Sequence, residues 1–366
     1  MKVFFVIDSL ANSGTEKSLL DIITNFSNKV NVTVIYLNEI DTLNEQYSSA
    51  NINTHRLNNS TTFLSAFLVL IKYIKKEKPD IIVSSLFKSN ILCRLCCLFT
   101  KTKIVGTFVS DSYSKFRINA LSIKQKISFL FVKQIDSITA HIPKGYISNS
   151  ASIKISNCKA LNIKKNKVTV IYRGRNSNKI VEWKQPNIDS FTFIIIARVL
   201  QTKGYEELID ALSLICKKHK SVQLQIFGDG IYSNVLKQKI QSLNLINNVQ
   251  FNGNVIDAWQ YLYNANCFIF PSWYEGLSGS LIEATMTGIP IIASNISMNK
   301  EVISNCQNAI MHKVKDAKSI ADCMDDMIIN YSKYTSYTSN TRSYAINRFD
   351  IQKIANKYEQ FLFSMI

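Results

Sequence analysis

Long apolar runs are missing from this sequence. No stretch reaches the roughly 18 uninterrupted apolar residues that a membrane-spanning helix needs, so a soluble or peripheral protein is expected. The opening MKVFFVIDSL holds an apolar run of only about five residues before Asp8, with no small-residue cleavage site after it, and reads as a first strand rather than a secretory signal. Metal-ligand spacing is missing too. Of the 8 cysteines only Cys93, Cys96 and Cys97 cluster, in ILCRLCCLF, and the 4 histidines (His55, His141, His219 and His312) lie far from them. That excludes the usual zinc patterns and leaves reduced thiols buried in a helix, in keeping with a cytoplasmic protein. The spacing Gly-x-Gly-x-x-Gly opening a helix after a first strand is absent, which argues against a nicotinamide enzyme. No stacking signature, zinc-finger spacing or helix-turn-helix pattern accompanies the basic residues, so nucleic acid is not an expected partner. Low-complexity tracts, short-period repeats and a disordered tail are not indicated either.

Acid is scarce where base is dense. The formal net charge is +17, and residues 1–180 hold 26 Lys and Arg against 10 Asp and Glu, whereas residues 181–366 hold 17 against 16. Within the first half, residues 112–181 carry 14 basic side chains and one acid, Asp136. Such a field implies an anionic partner.

What the sequence does contain is rhythm. Short apolar runs (KVFFVI, VTVIYL, DIIVSS, KIVGTFV, KVTVIY) alternate with amphipathic stretches such as EKSLLDIITNF and TFLSAFLVLIKYIKK. Continuous apolar strands imply burial on both faces, and strand-then-helix order implies parallel pairing by right-handed crossovers. The pattern weakens over residues 178–190, then restarts at FTFIIIA and continues through SVQLQIFG, NVQFNG, CFIFPS and IPIIAS to the helical KSIADCMDDMII. Length suits two domains of about 150 to 180 residues. The predicted arrangement is α/β: two facing doubly wound, Rossmann-like domains, residues 1–180 and 181–345, with a deep cleft between them. The last segment, within 346–366 and just before it, reads as one long helix outside the strand rhythm.

Three stretches carry candidate chemistry. In FIIIARVLQTKGYEELIDAL, Arg198 and Lys203 stand between a buried strand and a helix, where two cations and a helix dipole suit a diphosphate; ordinary charge on a solvated loop is the alternative. In SWYEGLSGSLIEATMTGIP, two glutamates eight positions apart, Glu275 and Glu283, flank small residues. Ser280 and Glu283 fit a capping box, which would account for Glu283 without a ligand. It leaves Glu275 and the intervening Gly276, Ser278 and Gly279 unexplained. Small residues there admit a phosphate close to backbone N–H groups, and a carboxylate at each end can accept from vicinal hydroxyls. Third, SKFRINALSIKQKISFLFVK mixes Lys115, Arg117, Lys124, Lys126 and Lys133 with apolar residues. A basic amphipathic helix of this kind suits an anionic membrane surface, at roughly 1 kcal/mol per basic residue; a core helix with a solvated basic face is the alternative.

The stretch E-G-L-S-G-S-L-I-E-A-T-M-T-G-I-P resembles the glutamate-x7-glutamate signature of retaining glycosyltransferases of family 4. The chain resembles a GT-B glycosyltransferase over essentially its whole length. SGTEKSLL, KVTVIYRGRN, ARVLQTKG, FGDG at 227–230, FNG at 251–253 and FPSWYEG follow in the family's order. The resemblance implies a retaining enzyme of hexosyltransferase type that takes a UDP- or GDP-linked sugar, without a cofactor or metal. In it, Arg198 and Lys203 bind the donor diphosphate and stabilise it as it leaves, Glu283 holds the ribose, and Glu275 touches the donor sugar. Gly276, Leu277 and Ser278 offer backbone contacts, Gly228 belongs to the donor site, and Gly14 approaches the phosphate from across the cleft. The final helix, by the same resemblance, crosses back onto the first domain, which binds the acceptor. That acceptor is implied to be a lipid-linked saccharide, a growing bacterial surface glycan on polyprenyl diphosphate, met at the cytoplasmic face of the cell membrane. Two departures stand out: Ser13-Gly14 replaces the family's frequent paired glycines, and the loop after KIVGTFV reads VSDSYSK, with no histidine. Asp111 offers a polar group there or caps the loop, and His141 lies further on. Front-face departure and attack needs no protein nucleophile, because the leaving phosphate can take the acceptor proton. A catalytically weak nucleotide-sugar- or membrane-binding scaffold of an assembly complex is the competing reading, which the missing histidine favours.

Overall fold

The apolar runs form two wholly parallel sheets in the computed structural model, which describes residues 1–57, 62–114, 118, 121–187 and 189–366. In the first, β1 (Lys2–Ile7), β2 (Asn31–Tyr36), β3 (Asn53–Arg56), β4 (Ile81–Ser84), β5 (Lys103–Phe108), β6 (Gly145–Ser148) and β7 (Val168–Val170) pair in the order β3-β2-β1-β4-β5-β6-β7. Successive residues of a strand point to opposite faces. Accordingly Val3, Phe5 and Ile7 of β1 pack with helix Gly14–Ile23, whereas Phe4 and Val6 pack with helices Phe63–Glu77 and Phe87–Thr100. Both faces are covered, which is why these strands are apolar throughout. Cys93, Cys96 and Cys97 sit buried and free in the second of those helices, and burial pushes the Cys96 and Cys97 thiols up to about 12.

In the second sheet β8 (Phe191–Ile196), β9 (Val222–Phe227), β10 (Val249–Gly253), β11 (Cys267–Phe270), β12 (Ile291–Ser294) and β13 (Ala309–His312) pair in the order β10-β9-β8-β11-β12-β13. Phe193, Ile195, Leu224 and Ile226 form its core with Leu208 and Leu212 of helix Tyr205–Lys218 and with Met324 and Met327 of helix Ala317–Ile329.

The chain divides into Met1–Gly174 with Ile351–Ile366, and Arg175–Asp350. The long terminal helix expected from the sequence is two helices, Thr338–Phe349 and Ile351–Ser364, parted at Asp350, whose backbone is extended (φ −61°, ψ 132°). The reason is a phase break. Buried positions run Thr338, Thr341, Ala345, Phe349 at helical spacing, then restart only two residues on with Ile351, Ile354, Ala355, Tyr358, Leu362, and no single helix face accommodates both sets. The second of these helices belongs to the first unit, where Ile351, Ile354, Tyr358 and Leu362 join the β1 core and the Glu359 carboxylate accepts from the Ser27 backbone N–H at 2.9 Å.

Candidate active site

In the second unit β8 and β11 are direct neighbours, with Cys267 opposite Phe193 and Phe268 opposite Ile194. From β8 the chain winds outward to β9 and β10 before returning to β11, so the loops leaving the carboxyl ends of β8 and β11 diverge from one point. A crevice opens at such a reversal. The β8 loop carries Arg198 and Lys203, and the β11 loop carries Glu275, Gly276 and Leu277. The structure ties them together. The Trp273 N–H donates to the Thr202 carbonyl at 2.9 Å, and the Lys203 ammonium donates to Oε1 of Glu275. Lys203 and Glu275 are only 15% and 11% exposed, and the ammonium lies 5.9 Å from the centroid of the Phe270 ring. Arg198, by contrast, is exposed and its guanidinium has no partner among the described residues.

Gly228 follows β9 in a conformation that disfavours side chains (φ 135°), and a Cβ there would fall 2.0 Å from the Ala197 carbonyl oxygen. Its glycine lets the end of β9 pass the loop that presents Arg198.

The capping-box reading of Glu283 is overturned. Helix Gly279–Thr287 begins two residues earlier than that box requires, and its cap is Ser278, whose Oγ accepts from the Leu281 N–H at 3.4 Å. Glu283 instead accepts from Nε of Arg175 at 2.5 Å, each side chain 16% exposed. Leu277 is buried. Arg175 is absent from the sequence-based site. Its signal was the paired arginines of YRGRN, whose partner lies too far along the chain for local pattern to identify.

In the first unit, Gly14 opens helix Gly14–Ile23 after the extended Ser13. Its carbonyl accepts from Nη2 of Arg173, whose Nε donates to Ser18 Oγ at 2.7 Å. The loop after β5 has a structural tie where the family often has histidine: Oδ1 of Asp111 accepts from Ser156 Oγ at 2.5 Å. His141 is exposed.

The basic stretch forms helix Ile123–Thr139, with Ser122 and Gln125 making a capping box. Its orientation corrects the core-helix alternative. Only Asp136 and Thr139 are buried, while Ile123, Ile127, Leu130, Phe131 and Ile138 are exposed. The inward side is anchored by Asp136, which pairs with the fully buried Arg94 at 2.5 Å and also accepts from the Tyr113 hydroxyl. Lys124 is exposed, Lys126 and Lys133 are half-buried, and Lys115 and Arg117 lie outside the described residues. No helix of the described residues is long and apolar enough to cross a membrane.

Two wholly parallel, Rossmann-like sheets with their helices match the GT-B glycosyltransferase fold. The matches agree: residues 12–179 fit the model of Glycosyltransferase Family 4 and residues 177–344 that of Glycosyl transferases group 1. The chain is a GT-B glycosyltransferase resembling glycosyltransferase family 4. Among its relatives is an uncharacterized glycosyltransferase of Methanocaldococcus jannaschii, 28% identical over 247 residues that cover 62% of this chain and 58% of that protein. Another is the N,N'-diacetylbacillosaminyl-diphospho-undecaprenol alpha-1,3-N-acetylgalactosaminyltransferase of Campylobacter jejuni, 27% identical over 316 residues, 82% of this chain and 81% of that protein. The crystal structure of Anabaena HepE in complex with UDP superposes over 100% of both chains with a TM-score of 0.86 at 19% identity, a likeness of fold.

Proposed function

We propose that this glycosyltransferase is retaining and moves a sugar from a nucleotide-sugar donor, UDP- or GDP-linked, to a growing bacterial surface glycan carried on polyprenyl diphosphate. The observation that carries the reading is the joining of the β8 and β11 loops, which sets Lys203 against Glu275 in the loop that also carries the exposed Arg198. The UDP in the HepE complex and the lipid-linked acceptor in the Campylobacter enzyme's name support the donor and acceptor classes.

In this mechanism Arg198 and Lys203 face the donor diphosphate, and Gly276, Leu277 and Ser278 offer it backbone N–H groups. Glu283 accepts from the ribose, Glu275 accepts from a hydroxyl of the sugar, and Gly14 and Gly228 are backbone contacts. The bond between the anomeric carbon and the phosphate oxygen breaks, with its electron pair leaving on the diphosphate. The acceptor oxygen bonds to the anomeric carbon on the same face, and its proton passes to the departing phosphate oxygen. Lys203 needs no reorganisation to meet that developing charge, since Glu275 already holds the ammonium in place. The amino-terminal unit binds the acceptor, and helix Ile123–Thr139 docks at the inner face of the cell membrane through its outward apolar residues and Lys124, Lys126 and Lys133, with Lys115 and Arg117, which precede it in the sequence, adding to the basic charge. Four basic residues at roughly 1 kcal/mol each suffice to hold it there.

The test is a panel of donors incubated with purified protein and a lipid-linked acceptor, scored by release of nucleoside diphosphate and by the anomeric configuration of the product. Transfer with retention supports the proposal, and inversion ends the retaining assignment. The loop after β5, without histidine and with Asp111 tied to Ser156, favours a catalytically weak scaffold as the second reading. Neither transfer nor donor hydrolysis in the panel would select it.

A further inference from the structure

Arg175 and Glu283 are distant in sequence, and three features fix their meeting. The Arg175 backbone is clamped: its N–H donates to the Phe349 carbonyl at 2.9 Å, and it bridges in parallel to Asp350. The Nη2 end of the guanidinium then abuts the first residue of helix Gly279–Thr287, where a Cβ at Gly279 would stand 1.9 Å from Nη2 and 3.0 Å from Cζ. Gly279 is therefore the residue that admits it. Finally, Nε grips Oε1 of Glu283 at 2.5 Å, whereas Oε2 accepts no hydrogen bond among the described residues and is not enclosed. A carboxylate on a two-carbon stem ordinarily samples several rotamers; held by a planar, permanently charged donor on one oxygen, it presents the other in a fixed direction.

We propose that Arg175 is a positioning residue for donor recognition: it fixes the Glu283 carboxylate so that the second oxygen accepts from a ribose hydroxyl, making the enzyme discriminate ribonucleotides from deoxyribonucleotides. This rests on the reading of Glu283 as the ribose contact. Arg175 adds selectivity at the sugar of the nucleotide, separate from the grip of Arg198 and Lys203 on the phosphates.

The experiment measures binding of UDP and 2′-deoxy-UDP, and of GDP and 2′-deoxy-GDP, by calorimetry in the unaltered protein and in Arg175→Met, Arg175→Lys, Gly279→Ala and Glu283→Gln. Losing a hydrogen bond to a charged group corresponds to roughly a tenfold or larger preference, so the unaltered protein should favour the ribonucleotide by at least about tenfold. Arg175→Met should reduce that ratio to about one while keeping most of the affinity for the deoxynucleotide, and Arg175→Lys should restore part of it. Gly279→Ala keeps both charged residues but displaces the guanidinium, and should lower the ratio in the same way, so the test survives if Arg175→Met folds poorly. A ratio near one in the unaltered protein would overturn the ribose reading of Glu283. A strong ratio there that persists in Arg175→Met and Gly279→Ala would overturn the role of Arg175 alone, and a fall in thermal stability with an unchanged ratio would reduce the pair to a structural tie.

Discussion

Replacing Lys203 by alanine separates the two things that its ammonium does. In the free protein it neutralises Glu275, a carboxylate only 11% exposed, and lies 5.9 Å from the centroid of the Phe270 ring. Breaking a fully buried pair from one side costs about 3 to 5 kcal/mol, because the remaining charge is left desolvated. Residual access of water to both groups lowers that to about 2 to 3 kcal/mol, or roughly 5 to 10 °C in the unfolding temperature of the second unit. The double variant Lys203→Met with Glu275→Gln removes both charges and keeps the volume, so most of the lost stability returns. Turnover behaves differently. A preorganised charge facing a leaving group contributes about 10² to 10³ in rate, so both variants should lose at least that much kcat, and the double variant should recover none of it. Calorimetric unfolding and nucleoside diphosphate release, measured on the same preparations, check the two halves. A Lys203→Ala protein as stable as the parent would refute the coupling of the loops, and a double variant that turns over normally would refute the catalytic role.

Further outcomes concern the first unit and the thiols. Asp136→Asn should destabilise it by about 3 to 5 kcal/mol, since Arg94 is 1% exposed and would be left buried without its counter-ion; denaturant unfolding followed by circular dichroism reads this. Leu130→Ser with Phe131→Ser, at exposed positions of helix Ile123–Thr139, should change stability by no more than about 0.5 kcal/mol per site, yet reduce cosedimentation with vesicles containing phosphatidylglycerol. Unchanged cosedimentation would remove this helix from membrane docking. Burial raises the Cys96 and Cys97 thiols to about 12, so at pH 8 they are protonated and should react with a disulfide reagent only after unfolding; rapid labelling of the native protein would contradict their burial.

Periodicity and composition carried much of this molecule. KVFFVI and FTFIIIA are apolar at every position because helices cover both faces of each sheet, a local signature of a doubly wound parallel arrangement. Glu275 and the cations of ARVLQTKG sit in the loops that leave their strands, so the fold alone brings them to the carboxyl ends of β11 and β8. The edge strands β3 (NTHR) and β13 (AIMH) were less legible, since an edge strand buries less and its sequence is less constrained. The break at Asp350 was readable in principle, as a slip in the apolar phase between Phe349 and Ile351, but helix propensity on both sides concealed it.

What the sequence determined by itself was most of the strands and helices, the charge asymmetry, the loops that carry Arg198, Lys203 and Glu275, and the helix that carries Glu283. Tertiary structure alone decided the partners: Lys203 with Glu275, Arg175 with Glu283, Arg94 with Asp136, and the outward turn of the apolar side of helix Ile123–Thr139. Elements are set by short-range spacing, which a sequence displays directly. Ion pairs depend on which loops the sheet order brings side by side, and which face of a helix turns inward is decided by a buried charge on a neighbouring element.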